Sequence, residues 1–227
     1  LAVNKYKVNA YKHINAGSNV GVATGNNIGI KAALSDLCTD VILLNNDIEF
    51  ESEDVFSKIL LIAKEKKIDL VVPKILYFDD RKVWMAGGYM DNLRALGVHY
   101  TESNTRNLNK SQNITYAPTC FMLIKANVFS TIGYMDEKYF AYCDDTDFVF
   151  RAIKNKINLF YESSITILHK VSSSSGGDNS LFYIYYSNRN KLYFIRKNYF
   201  GFRKWFAIMY TLISRVLYYI KYNKEQR

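Results

Sequence analysis

The 227 residues, 49% of them hydrophobic, are enough for one α/β domain, alone or with an appendage. Three cysteines, Cys38, Cys120 and Cys143, form an odd set without CxxC spacing, which speaks against a disulfide frame or a zinc site and for a reducing compartment. The net charge of +9 suits nucleic acid, phosphorylated ligands or an anionic membrane, and its concentration in the last segment favours the membrane over a general nucleic-acid surface.

No secretory signal is visible. The chain opens on Leu1 in a strand-like run, and further strands are expected to precede it, because a parallel sheet needs more of them than can be found here. Val8 to Ile14 reads as a strand. Asn15 to Asn27 is rich in turn residues and leads into a helix over Ile28 to Leu37. The glycines of that loop either let the backbone approach an anion at the helix N-terminus or form a flexible connection; the spacing is neither GxGxxG nor a Walker loop.

Asp40 to Asn45 is the strand on which the reading centres. Its apolar run ends abruptly in Asn45-Asn46-Asp47, which suggests a strand buried on both faces of a parallel sheet. Ligands of such sheets sit beyond the carboxyl ends of the strands, and a carboxylate there can hold a hard divalent cation. Without a ligand, the same residues are a polar turn. Asp54 to Lys66 reads as an amphipathic helix, Asp69 to Leu76 as a strand, Lys82 to Tyr100 as short strands, and Thr101 to Asn113 as a polar surface loop. Tyr116 to Ile124 is a buried strand, followed by a short helix from Asn127 to Ile132.

Gly133 to Phe148 combines aromatic residues with the acidic cluster Asp144, Asp145 and Asp147 at the start of a helix over Thr146 to Asn155. One acid suffices as a cap. Three packed carboxylates raise each other's pKa, which makes at least one a candidate base. Asn158 to Tyr161 and Ser164 to Leu168 read as two short strands, ending at His169, a metal ligand or a satisfied core residue. Lys170 to Gly177 is a polar loop. Leu181 to Asn198 is a helix dense in Tyr and Phe, Gly201 breaks it, and Trp205 to Ile220 is a second apolar helix, shorter than the ~20 residues that span a bilayer. Its aromatic and basic residues suit a helix lying in a membrane interface. The alternative is a helical hairpin packed on the domain or on a second copy of the chain in a homo-oligomer.

Four stretches in order carry a resemblance: Asn19-Val-Gly21 through Gly25-Asn-Asn-Ile-Gly29, Leu43-Leu-Asn-Asn-Asp47, Gly133-Tyr-Met-Asp-Glu137, and Tyr142-Cys-Asp-Asp-Thr-Asp-Phe148 with Arg151. From about Ala10 to about Lys197 the chain resembles family 2 glycosyltransferases, and most of all the rhamnosyltransferase-like branch that builds bacterial surface polysaccharides. The resemblance implies a GT-A fold, a Rossmann-like nucleotide-diphospho-sugar transferase domain over residues 1–178. Residues 179–227 then form an aromatic, basic helical extension associated with the membrane.

It also implies inverting transfer from a nucleotide-sugar donor to a glycan or lipid-linked acceptor, with Mg2+ or Mn2+, at the cytoplasmic side of the cell membrane. Asn45-Asn46-Asp47 stands in place of the family's DxD motif, with Asn for its first acid, so Asp47 is the metal ligand and His169 joins it on the metal side. Asp144-Asp145 matches the family's Glu-Asp pair, making Asp145 the base with Asp144 beside it. Asn19, Gly21, Asn26, Asn45 and Asn46 face the donor. The family's first strand, and a later strand whose end carries an Asp for the nucleotide base, have no counterpart here. Two rival readings stand beside this one. The chain is a non-catalytic, degenerate transferase-like protein anchoring an assembly at the membrane, or, on charge alone, a nucleic-acid binder, against which the acids crowding the cleft argue.

Overall fold

The computed structural model describes residues 12–105, 107–170 and 180–225. In chain order the elements are helix α1 (Val22–Ser35), strands β1 (Asp40–Leu44) and β2 (Ile48–Phe50), α2 (Val55–Glu65), β3 (Leu70–Tyr77), β4 (Val83–Met85), β5 (Gly88–Asp91), β6 (Leu96–His99), β7 (Gln112–Asn113), β8 (Phe121–Lys125), α3 (Ala126–Ile132), α4 (Asp144–Lys154), β9 (Leu159–His169), α5 (Leu181–Asn198) and α6 (Gly201–Glu225). Seven strands form one sheet in the order β1-β8-β3-β9-β2, with β4 beside β3 and β7 beside β9; β5 and β6 make a separate hairpin.

The sheet is mixed. β8 runs antiparallel to β1 and β3, whereas β3 and β9 are parallel. The expectation of a doubly buried β1 fails: Val41 and Leu43 are buried and Leu44 is exposed, the alternation of a strand covered on one face. Among the described residues its paired neighbour is β8. The strands buried without alternation are β8, whose Phe121 to Ile124 are all inside, and β3, from Leu70 to Pro73. Between them and α1, α2 and α4 lies the main core, with Ile30, Ile59, Phe148 and Val149 inside it.

Other boundaries also differ from the sequence reading. The two short strands expected before His169 are one, β9. Its register against β3 slips between Pro73 and Lys74, because proline has no N–H for the ladder. Glu162 fills the irregularity by accepting from Ser111 Oγ at 2.7 Å and Ser164 N at 3.0 Å. The segment from Tyr116 to Cys120 is irregular, and β8 begins only at Phe121. α4 begins at Asp144, not Thr146, and α6 at Gly201, not Trp205. Most of the expected strand Val8–Ile14 and of the loop after Lys170 lies outside the described residues; 12–14 are not in a strand.

α1 starts at Val22, six residues before the expected Ile28, and contains Gly25 and Gly29. Tertiary contacts override the weak helix propensity of those glycines. Val22 N donates to the Phe140 carbonyl at 2.8 Å, and Ala23, Asn27 and Ile30 are buried. Gly21, immediately before the helix, has φ +80°, and a Cβ there would meet Phe140 O at 2.5 Å. Its missing side chain serves this backbone contact within the protein, and not only approach to a ligand.

α5 and α6 pack on the sheet domain through a second core of Met90, Ala95, Tyr116, Tyr139, Phe194, Ile195, Tyr199 and Ala207. Lys197 joins Asp136 at 2.7 Å and Asp147 at 2.9 Å, and Asn198 donates to Asp147 at 2.9 Å. Asp147 is fully buried and also takes Arg151 Nε at 2.8 Å. Of the three acids in the cluster, this one is a structural tie between α4 and α5.

Gly21→Ala is expected to destabilise the chain by about 2–4 kcal/mol in urea unfolding, combining left-handed strain with overpacking. Gly29→Ala, with open space around it, is expected to stabilise by ~0.5–1 kcal/mol. Equal effects of the two substitutions would contradict the contact assigned to Gly21.

Candidate functional site

β1, β3 and β9 point the same way, so their carboxyl ends share one rim of the sheet, together with the start of the antiparallel β8. β1 runs out into Asn45-Asn46-Asp47, and the chain turns at once into β2. There Ile48 pairs with His169, the last residue of β9. Lys170 N donates to the Asp47 carbonyl at 2.9 Å and closes the pairing. Two residues more than a hundred positions apart are thereby set side by side, with Asp47 Oδ1 3.3 Å from His169 Nε2.

Asp47 Oδ1 and His169 Nδ1 are buried and have no hydrogen-bond partner. The 3.3 Å approach is therefore a close contact without hydrogen-bond alignment. Burial lowers the His169 pKa against the opposing pull of Asp47, which keeps the imidazole neutral and its lone pair free. The buried, unpartnered Asp47 Oδ1 and the Nε2 of a neutral His169 beside it have the donor chemistry that a divalent cation takes. Among the described residues no group of three or more His, Cys, Asp or Glu side chains is arranged to hold a metal, so the remaining ligands to such an ion would come from elsewhere. The Trp84 ring meets His169 edge-on at 4.7 Å and fixes the imidazole plane.

The facing wall is built by the segment that enters α4. Asn27 on α1 holds Met135 through both its amide and its carbonyl, at 3.0 and 2.9 Å, and reaches Glu137 at 2.9 Å. Tyr142 and Cys143 then take consecutive left-handed conformations, φ 64° and 65°, each costing roughly 1–2 kcal/mol. Fully buried Asn190 on α5 donates to the carbonyls of Ala141 at 2.6 Å and Tyr142 at 3.0 Å, which holds this turn. α4 starts immediately after, presenting Asp144 and Asp145.

The two acids differ. Thr146 N at 2.6 Å, Thr146 Oγ1 at 3.1 Å and the Tyr116 hydroxyl at 3.2 Å all donate to Asp145, which favours its ionised form. Burial pulls the other way and leaves its pKa raised. For Asp144, burial and then repulsion from Asp145 push the carboxyl up to about 7. Both carboxyls thus hold a proton more tightly than a free carboxyl does, and Asp145 is the one whose ionised form receives three donors. Burial, more than mutual repulsion, is the larger cause.

A cleft of about 700 Å³ lies between the two walls, lined by Asn19, Gly21, Asn45, Asp144, Asp145 and His169 among others. Asp47, in contact with His169, is not among the lining residues. Its charge is nonetheless felt across the cleft floor: both Asp145 and Asp47 raise the pKa of the buried Cys120 thiol, after burial itself. Asn46 is exposed in the turn, and Asn26 lies on α1 with its amide 3.5 Å from the Met135 sulfur; neither lines the cleft.

Several lining residues were not singled out from sequence: Trp84, Tyr116, Thr119, Cys120, Phe140 and Phe182. Pro118 inside Tyr116 to Cys120 was the available signal that this stretch is a loop and not a strand. His99 stacks on Tyr116 at 5.6 Å, sets its ring, and is itself held neutral, its pKa lowered to about 4 by burial.

A mixed central sheet with helices packed on it, and a cleft at the carboxyl ends of its parallel strands, has the GT-A glycosyltransferase fold. The solved structure of GalNAc-T7 with UDP, GalNAc and Mn2+ is similar, with a TM-score of 0.51 at 16% identity over 72% of this chain and 34% of that one. In sequence the chain is similar to the low-salt glycan biosynthesis hexosyltransferase Agl10 of Haloferax volcanii, 27% identical over 205 residues. That match covers 89% of this chain and 65% of the relative, so the chain spans a little under two thirds of the relative's length. No family profile matches the chain.

The raised Asp144 carboxyl has a signed consequence. The folded chain holds this proton more tightly than the unfolded one, so its stabilising contribution is complete below the ordinary carboxylate range and is lost as pH rises through about 7. Asp144→Asn is expected to melt with the wild type near pH 4 and several degrees above it near pH 8. A melting difference independent of pH would contradict the burial and pairing of this group.

Proposed function

We propose that the chain is an inverting, metal-dependent hexosyltransferase of the family 2 kind. It moves a sugar from a nucleotide-sugar donor to a hydroxyl of a glycan or lipid-linked acceptor. The observation that carries this reading is a cleft with His169 on its strand-end side and Asp145 with Asp144 on its helix side. Asp47 lies next to His169, 3.3 Å from its Nε2. The likeness to a glycan-building hexosyltransferase supports the same reading.

Asp145 takes the acceptor proton as the acceptor oxygen bonds to the anomeric carbon, a role worth roughly 10²–10⁴-fold in rate. Tyr116 and Thr146 orient its two oxygens and favour its ionised form against burial. The bond from the anomeric carbon to the diphosphate breaks on the opposite face, which inverts the centre. Asp47 and His169 would hold Mg2+ or Mn2+, which supplies Lewis-acid neutralisation of the leaving diphosphate when bound. The amino end of α1, at Gly21 and Val22 on the cleft wall, adds its dipole on the donor side.

The extension suits a peripheral membrane contact at the cytoplasmic face. Phe202, Trp205, Met209, Leu212, Ile213, Val216, Leu217 and Ile220 are all exposed and recur at helical spacing on one side of α6, while Ala207 and Thr211 are buried on the other. Between Leu181 and Lys224 there is no Asp or Glu. Among the described residues no helix is long and apolar enough to cross a membrane.

Two substitutions test the reading, scored by sugar transfer over a panel of nucleotide sugars and by calorimetry with Mn2+ and nucleoside diphosphate. Asp145→Asn is expected to lose about 10²–10⁴-fold in transfer while still binding donor. Asp47→Asn is expected to lose metal-dependent nucleotide binding. Near-normal turnover in Asp145→Asn would overturn the base assignment, and absence of metal-dependent binding in the wild type would favour the non-catalytic rival.

A further inference from the structure

The β5–β6 hairpin stands apart from the main sheet. Two strands alone are marginal in water, so the place of this hairpin depends on what grips it. Its turn is fastened to the C-terminal helices, where Tyr199 donates to Asn92 at 3.3 Å and Lys191 donates to the Ala95 carbonyl. Its strands close on Thr115 and Tyr116. On β5 the Gly88 carbonyl accepts Thr115 N at 3.2 Å and Tyr116 N at 3.3 Å, and Met90 N donates to Thr115 Oγ1 at 2.9 Å.

Where β5 holds the backbone of Tyr116, β6 meets its side chain. Gly97 and His99 are two positions apart and so share one face of the strand. His99 stacks on the Tyr116 ring, with centroids 5.6 Å apart and planes 18° from parallel. Gly97 lies against the hydroxyl-bearing end of the ring: a Cβ there would come to 2.5 Å of Cε1 and nearer still to Cζ. Gly97 is not left-handed, so room for the ring, and not backbone conformation, calls for glycine. From this seat the buried Tyr116 donates its hydroxyl to Asp145 Oδ2 at 3.2 Å. A hydrogen bond of that length has little to spare, and a displacement of about half an ångström ends it.

We infer that the β5–β6 hairpin positions the base through Tyr116, with Gly97 and His99 as positioning residues that seat its ring against Asp145. A methyl group at Gly97, or loss of the His99 ring, moves the Tyr116 hydroxyl off the carboxylate. His99 also meets Trp84 at 4.7 Å, the ring that contacts His169, so Gly97 is the more selective site to change. The inference rests on the transferase reading for the role of Asp145, but not for the seating itself.

Two readouts on the full chain test it. The first needs no substrate: an NMR titration of carboxyl-labelled aspartates, with Asp145 assigned through Asp145→Asn. The titratable groups around Asp145 are Asp144 and Cys143 beside it, and Tyr116 and Cys120 before β8. Taking a donor from an ionised carboxylate raises its midpoint. Gly97→Ala, His99→Ala and Tyr116→Phe are each expected to move the Asp145 midpoint to higher pH, and Gly97→Ala to move it no further in a Tyr116→Phe background. The second readout is sugar transfer with the nucleotide sugar that the donor panel selects. Gly97→Ala is expected to lower kcat about 10–100-fold with the donor KM nearly unchanged. Gly97→Ala with Tyr116→Phe is expected to be no slower than Tyr116→Phe alone. His99→Phe, which keeps a ring in place, is expected to recover most of what His99→Ala loses. Gly97→Ala is expected to lower the melting temperature in both backgrounds, since phenylalanine keeps the ring that the methyl group meets, so stability and catalysis separate.

Losses in kcat that multiply in the double variant would overturn the seating. So would an Asp145 midpoint that neither Gly97→Ala nor His99→Ala moves. If Gly97→Ala does not fold, His99→Ala and its rescue by phenylalanine decide between the same outcomes. A moved midpoint in a chain without transfer leaves the seating standing and the transferase reading fallen; transfer that persists with unmoved midpoints does the reverse.

Discussion

The pairing of β2 with β9 is the constraint on which the site depends. Ile48 opposite His169 places the residue before β2 beside the residue that ends β9, and no local feature of either stretch could do so. Because side chains alternate along a strand, a slip of one residue would turn His169 to the other face and separate it from Asp47. The parallel register of β3 and β9 fixes this rim in turn, setting Tyr77 opposite His169. Leu159, Tyr161, Ile165, Ile167 and Leu168 of β9 and the buried Leu70 to Pro73 of β3 hold that register in place.

The opposite wall is held less by the sheet than by the C-terminal helices. Two consecutive left-handed residues, Tyr142 and Cys143, aim α4 so that Asp144 and Asp145 begin it at the cleft. Such backbone persists only where its surroundings over-determine it. Here Asn190 supplies two hydrogen bonds, and Lys197 and Asn198 tie α5 to the buried Asp147 just beyond. The α5–α6 hairpin is therefore part of the site's geometry. Its exposed apolar stripe and its grip on the acidic turn are features of one pair of helices.

Much of this was legible in the sequence where the signal is local. The abrupt end of the Val41-to-Leu44 run marked a strand terminus. The acidic residues after Tyr142 marked a helix start, and the exposed face of α6 follows from its apolar spacing. What was not legible depended on partners far along the chain. α1 begins early because Phe140 receives Val22 N, more than a hundred residues away. β9 stays unbroken through Glu162 and two serines because Pro73 on its neighbour forces a slip that these polar groups fill. Asp147 looked like its neighbours and differs only because Lys197, Asn198 and Arg151 converge on it. Tyr116 and Trp84, which hold Asp145 and His169 on the two sides of the cleft, carried no motif at all.

The most direct measurement is a crystal structure of the chain with Mn2+ and a nucleoside diphosphate. The ion is predicted to lie on Asp47 and His169, with the diphosphate toward the amino end of α1 and open space in front of Asp145. Nucleotide bound instead at the far rim of the sheet, in the groove of Leu34, Lys67, Asp69 and Lys125, or an ion held away from both Asp47 and His169, would contradict the placement of donor and base on one cleft.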